Sequence, residues 1–471
     1  MARALALHPD RLFPADPTAR AIARRLYAHV AGLPIISPHG HCDPAWFATD
    51  APFPNPTALL LAPDHYLLRM LYSQGVALEQ LGVAVRDGDT VACDARTAWR
   101  TFGAHYHLFR GTPSRLWLDW VFAEVFGLEV RLDATTADLY YDTIDACLAR
   151  AGFRPRALFE RFGIEVLATT ESPLDELAAH AAIRASGWGG RVITAFRPDP
   201  VLDPEHEDFR TNLVELGRLT DCDTGGYDGY LEALRRRRAA FRAMGATSTD
   251  HGHPSARTAD LDPAAARALY RRVTAVDCTP EEADLFRAHM LTVMAGMSLE
   301  DGMVMQLHPG SFRNHNPWLF GRFGRDRGAD LPQPCDYVHA LKPLLDRYGN
   351  ERDLTLILFT LDESNYAREL APLAGHYPSL RLGPAWWFHD SPEGMRRMRR
   401  QCTETAGFYN TVGFNDDTRA FCSIPARHDV ARRIDCGYLA ELVAEHQFDE
   451  TEAAELAVEL AGTLVRKAYR L

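Results

Sequence analysis

The feature that most constrains the fold is a set of eight short apolar runs, each ending abruptly in polar or charged residues. In chain order the runs are LPIIS, IEVLATT, RVITAF, GATSTD, MVMQL, LTLILFTL, LRLGPAWWF and YNTVGFN. Several are continuously apolar, which is typical of parallel strands buried on both faces. Helix-like stretches such as PLDELAAHAAIRA lie between them. The pattern therefore predicts repeated strand-then-helix units.

Eight such units close into a (β/α)8 barrel of the TIM type, whose functional groups lie at the C-terminal ends of the strands. The polar residues that follow the eight runs fall at those ends. A doubly wound sheet would also alternate strands and helices, but the count of eight favours the barrel. No Gly-rich phosphate-binding motif follows the first run. We therefore predict an α/β barrel with its site at the strand ends.

The spacing of the runs predicts three segments. Residues 1–47 hold an N-terminal segment and the first strand. Residues 48–161 are rich in Leu, Ala and aromatic residues at helical spacing, which predicts a helical insertion over the barrel mouth. Residues 162–471 would hold the rest of the barrel and two closing C-terminal helices.

Charge and composition exclude several classes of protein. The net charge of −12 argues against a nucleic-acid partner, which needs a basic surface. No apolar stretch approaches the length of a membrane span, and the N-terminus does not resemble a signal peptide. The nine cysteines are scattered and form no CxxC pair, which favours reduced thiols in a cytoplasmic protein. A large barrel with a long insertion often assembles, so we expect a homo-oligomer.

Two histidines one residue apart follow the first run. On a strand, His39 and His41 point to the same side, which in a barrel is the pocket, and two converging imidazoles can bind a metal. The same pattern also occurs by chance or for hydrogen bonding alone. His308 ends the fifth run and Asp417 closes the eighth, and strands one and eight become neighbours when a barrel closes. Asp417 could instead, or in addition, cap a helix.

Three arginines also follow strand ends, namely Arg197, Arg313 and Arg419. The planar guanidinium fork suits a carboxylate. Each arginine alone is more often a surface or salt-bridge residue. Their shared location favours a pocket for a small anion.

The chain resembles a known family. The HxH motif, His308 and Asp417 are similar to the amidohydrolase superfamily of metal-dependent barrels. Longer stretches, from about residue 10 to the C-terminus, resemble its uronate (glucuronate) isomerase branch. These stretches are HGHCDP, DHYLLRMLYSQGV, ATTESPLDEL, FRPDP, STDHGH, QLHPGSFRNHN, PAWWFHD and DDTRAF.

The resemblance implies a distorted (β/α)8 barrel and an aldose–ketose isomerase of uronate catabolism. Its reactions would convert D-glucuronate to D-fructuronate and D-galacturonate to D-tagaturonate. It also implies one divalent metal, commonly zinc, and an enediol route needs no nucleotide or redox cofactor. Hydrolases of the superfamily often have a lysine after strand four and a histidine after strand six. TSTDHGH and FTLDESN lack both, which fits a mononuclear site.

Roles for individual residues follow from the resemblance. His39, His41 and Asp417 would hold the metal. Tyr66 would carry the proton with Asp417, although a tyrosine in an apolar helix usually belongs to the core. The substrate contacts would be His65, Arg197, His308, Arg313, Trp386 and Arg419. For His308 a role as fourth ligand stays open, and for His251, His253, His315 and His389 we expect structural or solvated roles.

Two other classes of function remain possible from the residues alone. A mononuclear metal hydrolase on the same barrel would share the HxH motif and the strand-eight aspartate, and added water or ammonia in its products would identify it. A catalytically silent sugar-acid binding protein is the third class. A binder has no need of metal ligands combined with a proton shuttle, so the isomerase is favoured.

Overall fold

Seven parallel strands form one curled sheet in the computed structural model of the chain, which describes residues 3–86 and 93–471. Their order across the sheet is β1-β2-β3-β4-β5-β8-β9. The strands are β1 (Ile35–Ser37), β2 (Ile164–Glu171), β3 (Arg191–Phe196), β4 (Ser248–His251), β5 (Val304–Leu307), β8 (Leu356–Leu358) and β9 (Leu380–Leu382). A separate antiparallel pair, β6 (Ser311–Phe312) and β7 (Leu331–Pro332), follows β5 and was not predicted.

The eighth predicted strand is reduced to a single bridge between Leu382 and Thr411. Gly413 adopts a φ of 76° inside this run, and that left-handed conformation cannot continue a strand. The ring is completed nearby, because the backbone amide of His41 donates to the carbonyl of Thr418 at 3.0 Å. The fold is the predicted (β/α)8 barrel, distorted where its last strand meets the first.

Helices fill the described part of the chain between β1 and β2. Helix α1 (Pro17–Val30) precedes β1. The helices between β1 and β2 are α2 (Pro44–Thr49), α3 (Pro56–Leu60), α4 (His65–Ser73), α5 (Ala95–His105), α6 (Pro113–Trp120), α7 (Ala137–Leu148) and α8 (Pro155–Arg161). Several begin with an Asp, Asn or Thr cap and a proline in the first turn, the sequence signature of a helix start. Leu67 of α4 and Leu307 of β5 belong to one hydrophobic core, so the division into three segments stays a prediction.

The remaining helices surround the sheet and close the chain. They are α9 (Ala178–Ala185), α10 (Asp199–Leu202), α11 (Phe209–Thr220), α12 (Tyr227–Ala243), α13 (Pro263–Val273), α14 (Pro280–Asp301), α15 (Pro317–Phe323), α16 (Lys342–Tyr348), α17 (Ala371–Ala374), α18 (Pro392–Ala406), α19 (Ile424–Ala444), α20 (Glu450–Val458) and α21 (Leu464–Tyr469). A π-helical turn joins α20 to α21. The Tyr469 hydroxyl donates to Gln306 of β5 at 3.2 Å, which ties the end of the chain to the barrel interior.

The described helices and cysteines bear on two of the expectations from composition. Within residues 3–86 and 93–471, no helix is both long and apolar enough for a bilayer crossing. All nine cysteines are free thiols.

Glu171, the last residue of β2, is expected to make stability depend on pH. Its side chain is buried and accepts a hydrogen bond from the Thr194 hydroxyl, and burial raises the pKa of Glu171 from 4.5 to about 7. A raised folded-state pKa gives stability that is present at low pH and lost as pH rises through 7. Glu171→Gln imitates the protonated form. We expect it to raise the free energy of unfolding by about 3 kcal/mol at pH 8.

Urea unfolding of wild type and Glu171→Gln at pH 5 and pH 8 checks this expectation. The gain should be small at pH 5, where the folded wild type already holds the proton. Glu176→Gln, an exposed glutamate on the same segment, is the control and should change stability little at either pH. A gain of equal size at both pH values would contradict the role given to burial.

Candidate active site

The C-terminal strand ends and the first turn of α4 enclose one cleft of about 740 Å³, a volume that includes its open mouth. All ten residues predicted to form the site line this cleft. They are His39, His41, His65, Tyr66, Arg197, His308, Arg313, Trp386, Asp417 and Arg419. The barrel therefore brings them together, and the individual role of each residue stays a prediction.

Two histidines and one aspartate meet at the inner end of the cleft. The Oδ1 atom of Asp417 lies 3.4 Å from Nε2 of His39 and 3.0 Å from Nε2 of His41. The other oxygen, Oδ2, accepts a hydrogen bond of 2.7 Å from the Trp386 indole. Asp417 caps no helix here, because its partners are side chains and α19 begins only at Ile424. Two imidazoles and a carboxylate are a donor set that suits zinc and similar divalent ions.

Burial and ion pairing set the charges in this cluster. Burial opposes ionisation of Asp417, but His39 and His41 hold the pKa of its carboxyl well below the ordinary value. Burial likewise opposes protonation of His39, yet Asp417 and Asp250 raise the pKa of its imidazole. The cluster thus favours a positive charge beside the Asp417 carboxylate. A divalent cation between the three side chains would supply that charge, so these residues fit a metal.

Asp250 of β4 joins two predicted site residues and was missed by the sequence analysis. Its side chain is fully buried, with Oδ1 accepting from Nδ1 of His308 at 2.7 Å and Oδ2 accepting from Nη1 of Arg197 at 2.9 Å. Nε2 of His308 is buried without a hydrogen-bond partner among the described residues. The His308 ring stacks on His39, with 4.8 Å between the ring centres. His308 therefore offers a free nitrogen to a metal or a substrate, and both roles stay open.

Asp250→Asn is expected to destabilise the fold and weaken substrate binding together. Asparagine is uncharged and accepts through one oxygen only, so Arg197 loses one of its two counter-charges and one of the two hydrogen bonds is lost. Leaving a buried polar group without its partner costs about 1 to 3 kcal/mol of unfolding free energy. Urea unfolding and a rise in KM measure the two effects. Unchanged stability and KM would contradict the bridging role of Asp250.

The three predicted anion-binding arginines are each paired with an aspartate. Nε of Arg197 donates to Asp199 at 3.0 Å. In the other two pairs the closest contact is also 3.0 Å, from Nη1 of Arg313 to Asp330 and from Nη2 of Arg419 to Asp326. A substrate carboxylate would therefore share these guanidinium groups with protein carboxylates.

Asp326 and Asp330, which orient two of these arginines, were not predicted. Both lie in the connection between α15 and β7, within the sequence GRDRGAD. Burial opposes ionisation of Asp326, but Arg419 and Arg313 hold the pKa of its carboxyl below the ordinary value. Nothing in that stretch marks it as a strand end, so the rule that found the arginines could not find their partners.

The first turn of α4 places His65 and Tyr66 over the cleft. Asp64 caps this helix and accepts from the amides of Tyr66 at 2.9 Å and Leu67 at 3.3 Å. The His65 ring stacks on Tyr66 with 4.6 Å between centres and meets the edge of Trp387 at 5.4 Å. Burial raises the pKa of Tyr66, so its phenol is protonated at neutral pH.

Arg427 of α19 is a cleft residue with no sequence signal. It is almost fully buried, with its guanidinium 3.6 Å from the Trp117 ring centre and 5.6 Å from that of Tyr66. It donates to Asp390, and burial raises the pKa of Asp390 to about 7 despite this contact. The residue precedes no loop and follows no strand. Its position behind Tyr66 comes only from the packing of α19.

Comparison with known proteins gives consistent matches over the whole chain. The sequence model of the glucuronate isomerase family matches residues 18–464. The chain is 69% identical to the uronate isomerase of Sphingopyxis alaskensis, over 100% of both chains. It is 71% identical to the uronate isomerase of Rhizorhabdus wittichii, over 99% of both chains.

Two solved structures have the same fold. A crystal structure of glucuronate isomerase from Caulobacter crescentus superposes with a TM-score of 0.98 at 62% identity, covering 99% of this chain and 98% of the other. A crystal structure of uronate isomerase from Thermotoga maritima superposes with a TM-score of 0.91, covering 98% of this chain and 99% of the other. At 24% identity this second likeness concerns the fold alone.

Proposed function

The chain belongs to the uronate isomerase family of the amidohydrolase superfamily, and from that premise we propose how its cleft carries out hexuronate aldose–ketose isomerisation. The proposed reactions are D-glucuronate to D-fructuronate and D-galacturonate to D-tagaturonate. The observation that supports them is the convergence of a His/Asp metal cluster, a tyrosine hydroxyl and three arginines on one cleft. A hydrolase is not favoured, because the full-length relatives are isomerases.

We propose that His39, His41 and Asp417 hold one divalent ion in the cleft, and that this ion is zinc. When bound, the ion would act as a Lewis acid on the carbonyl and hydroxyl oxygens of the sugar. The Asp417 carboxylate is oriented for this role by the Trp386 indole, which occupies its second oxygen. His308, with its free buried Nε2, is proposed as a substrate contact on the same side.

The remaining residues are proposed to bind the sugar acid. Arg197 and Arg419 would bind the carboxylate or hydroxyls with their unshared N–H groups, and Arg313 would assist at the rim. His65 would donate to a hydroxyl from the first turn of α4. Trp386 presents an apolar ring face that suits the C–H side of a sugar.

The proton balance of the reaction needs only acid–base groups. A base removes the proton from C2 of the open-chain aldose and an acid delivers a proton to C1, while the O2 hydroxyl proton is lost and O1 gains one. The C2–O2 pair becomes the carbonyl and C1–O1 the alcohol, so no outside oxidant or reductant is used. We propose that Asp417 and Tyr66 move these protons. The phenol of Tyr66 is protonated and can donate a proton, and the Asp417 carboxylate is ionised and can accept one.

We also propose the cellular setting and the assembly of the enzyme. The nine free cysteines support a cytoplasmic enzyme, and the net charge of −12 supports the absence of a nucleic-acid partner. The internal redox balance of the reaction supports the absence of a nucleotide or redox cofactor. Assembly as a homo-oligomer is proposed only from the size of the barrel and its helical additions.

Metal removal tests the role of the cluster. Quantitative chelation of the purified protein should lower kcat/KM on the order of 100-fold, since a Lewis acid contributes several kcal/mol to such a reaction. Zinc should restore it in wild type but not in His41→Asn. Full activity of metal-free protein would overturn the metal's role and leave the isomerase assignment standing.

A further inference from the structure

A second group of potential metal ligands lies behind Arg197, outside the cleft. It consists of Asp199 at the start of α10, His251 at the end of β4, and His253 two residues later. Their candidate ligand atoms lie within 4.8 Å of one another, and none of the three residues lines the cleft. We propose that this cluster binds a second divalent transition-metal ion of the zinc type, and that the ion fixes the position of Arg197.

Two nitrogens in the cluster are buried without hydrogen-bond partners among the described residues. They are Nδ1 of His251, whose residue is fully buried, and Nε2 of His253, whose residue is 4% exposed. Buried polar atoms are nearly always paired, because an unpaired one loses the hydrogen bonds it had with water. A metal ion at this place would provide one partner for both nitrogens.

One hydrogen bond in the cluster bears on which imidazole nitrogen is free to bind a metal. Nε2 of His251 lies 3.1 Å from the hydroxyl of Thr249. If the imidazole donates there, the lone pair remains on the unpartnered Nδ1, and this is the usual arrangement of a metal-bound histidine. Oδ1 of Asp199 lies 3.8 Å from Nε2 of His253.

Gly252 between the histidines allows this packing. A Cβ atom at position 252 would lie 2.3 Å from Nη2 of Arg197 and 2.9 Å from Oδ2 of Asp199. The Gly252 amide donates to the Asp199 carboxylate at 3.0 Å. The His-Gly-His sequence thus places two imidazoles beside a carboxylate that the backbone itself holds in place.

The local charge accommodates a cation despite the nearby arginine. Arg197 contacts two carboxylates, those of Asp199 and Asp250, so the three groups together carry a net charge of −1. Arg287, the other arginine near His253, is neutralised by Asp203 and Glu205, both at 2.6 Å. Two imidazoles and a carboxylate are a donor set for zinc, cobalt or iron(II), and less so for magnesium or calcium.

Asp199 would connect the second metal ion to the cleft. One carboxylate would bind the ion on one side and Nε of Arg197 on the other, so the ion would hold the arginine from behind. The metal-binding part of this inference does not depend on the proposed function. The effect on Arg197 does depend on it.

Metal stoichiometry tests the inference. The purified full-length protein is stripped with a chelator, dialysed against a low concentration of zinc chloride, and measured by mass spectrometry of the metal. Wild type should hold two zinc ions per chain. His253→Leu should hold one, and His41→Asn should also hold one because the second cluster remains. His289→Leu, a buried histidine on α14, is the matched control and should hold two.

Two further readouts separate this inference from a general loss of structure. Wild-type crystals should show an anomalous zinc peak between Asp199, His251 and His253. The KM of His253→Leu for D-glucuronate should rise roughly tenfold or more while kcat changes less. One zinc per chain in wild type that is lost in His41→Asn, two in His253→Leu, or no anomalous peak between the three residues would each overturn the proposal. Absence of ketouronate formation with two zinc ions bound would instead overturn only the proposed function.

Discussion

Asp417→Asn is expected to abolish turnover and to empty the metal cluster in the cleft. The Asp417 carboxylate meets His39 and His41 through one oxygen and the Trp386 indole through the other. Asparagine has one oxygen and one NH2 group, so it cannot serve both sides. Its NH2 would face either two histidine nitrogens or an indole N–H. Because a metal ligand and a proton-transfer group are lost together, we expect kcat/KM to fall about 10⁴-fold or more.

Two measurements check this expectation, namely steady-state kinetics with D-glucuronate and the zinc content of the cleft. Asp416→Asn is the matched control, since Asp416 is buried next in sequence but contacts His428 and does not line the cleft. The control should lose stability while keeping the cleft metal. An Asp417→Asn protein that retains both metal and activity would remove Asp417 from the mechanism.

Tyr66→Phe is expected to lower kcat by about 10² to 10⁴-fold while leaving the metal content unchanged. The substitution deletes only the hydroxyl, and the ring contacts with His65 and Trp117 remain available. Burial keeps the phenol protonated, and Arg427 lies 5.6 Å from its ring centre, so the wild-type cleft holds this group ready to donate a proton. KM should change little, because the sugar-binding groups stay in place.

Tyr72→Phe controls for the loss of a hydroxyl from the same helix. Tyr72 lies further along α4 and stacks on Trp318, away from the cleft. Its variant should behave as wild type in both kcat and KM. A Tyr66→Phe enzyme with wild-type kcat would exclude the phenol as a proton carrier and point to His308 or another group.

Strand ends explain why so much of the site was predictable. His39, His41, Arg197 and His308 each follow directly after a buried apolar run, and a barrel gathers such positions at one mouth. Asp417 follows the eighth run in the same way, even though that run forms only a bridge. Tyr66 carries no such signal, and only the family resemblance selected it from an apolar helix.

The features that the sequence analysis missed depend on tertiary packing and on which side chains become partners in the folded protein. Asp250 lies near the end of β4, but an aspartate there is as easily a cap as a bridge between His308 and Arg197. Arg427 reaches the cleft from a helix that is buried on nearly all sides, where periodicity gives no direction. Gly413 has the left-handed backbone conformation that interrupts the eighth strand. Glycine tolerates this conformation but does not require it, so the interruption could not be predicted from the sequence.

The most direct test of the account is proton NMR of the purified protein with D-glucuronate, and separately with D-galacturonate, in D2O. We predict that D-fructuronate and D-tagaturonate appear, and that deuterium enters at C1 if the moved proton exchanges with solvent in the enediol. Both signals should be lost or greatly slowed in Tyr66→Phe and Asp417→Asn. Unchanged uronates with metal-loaded wild-type protein would contradict the isomerase account.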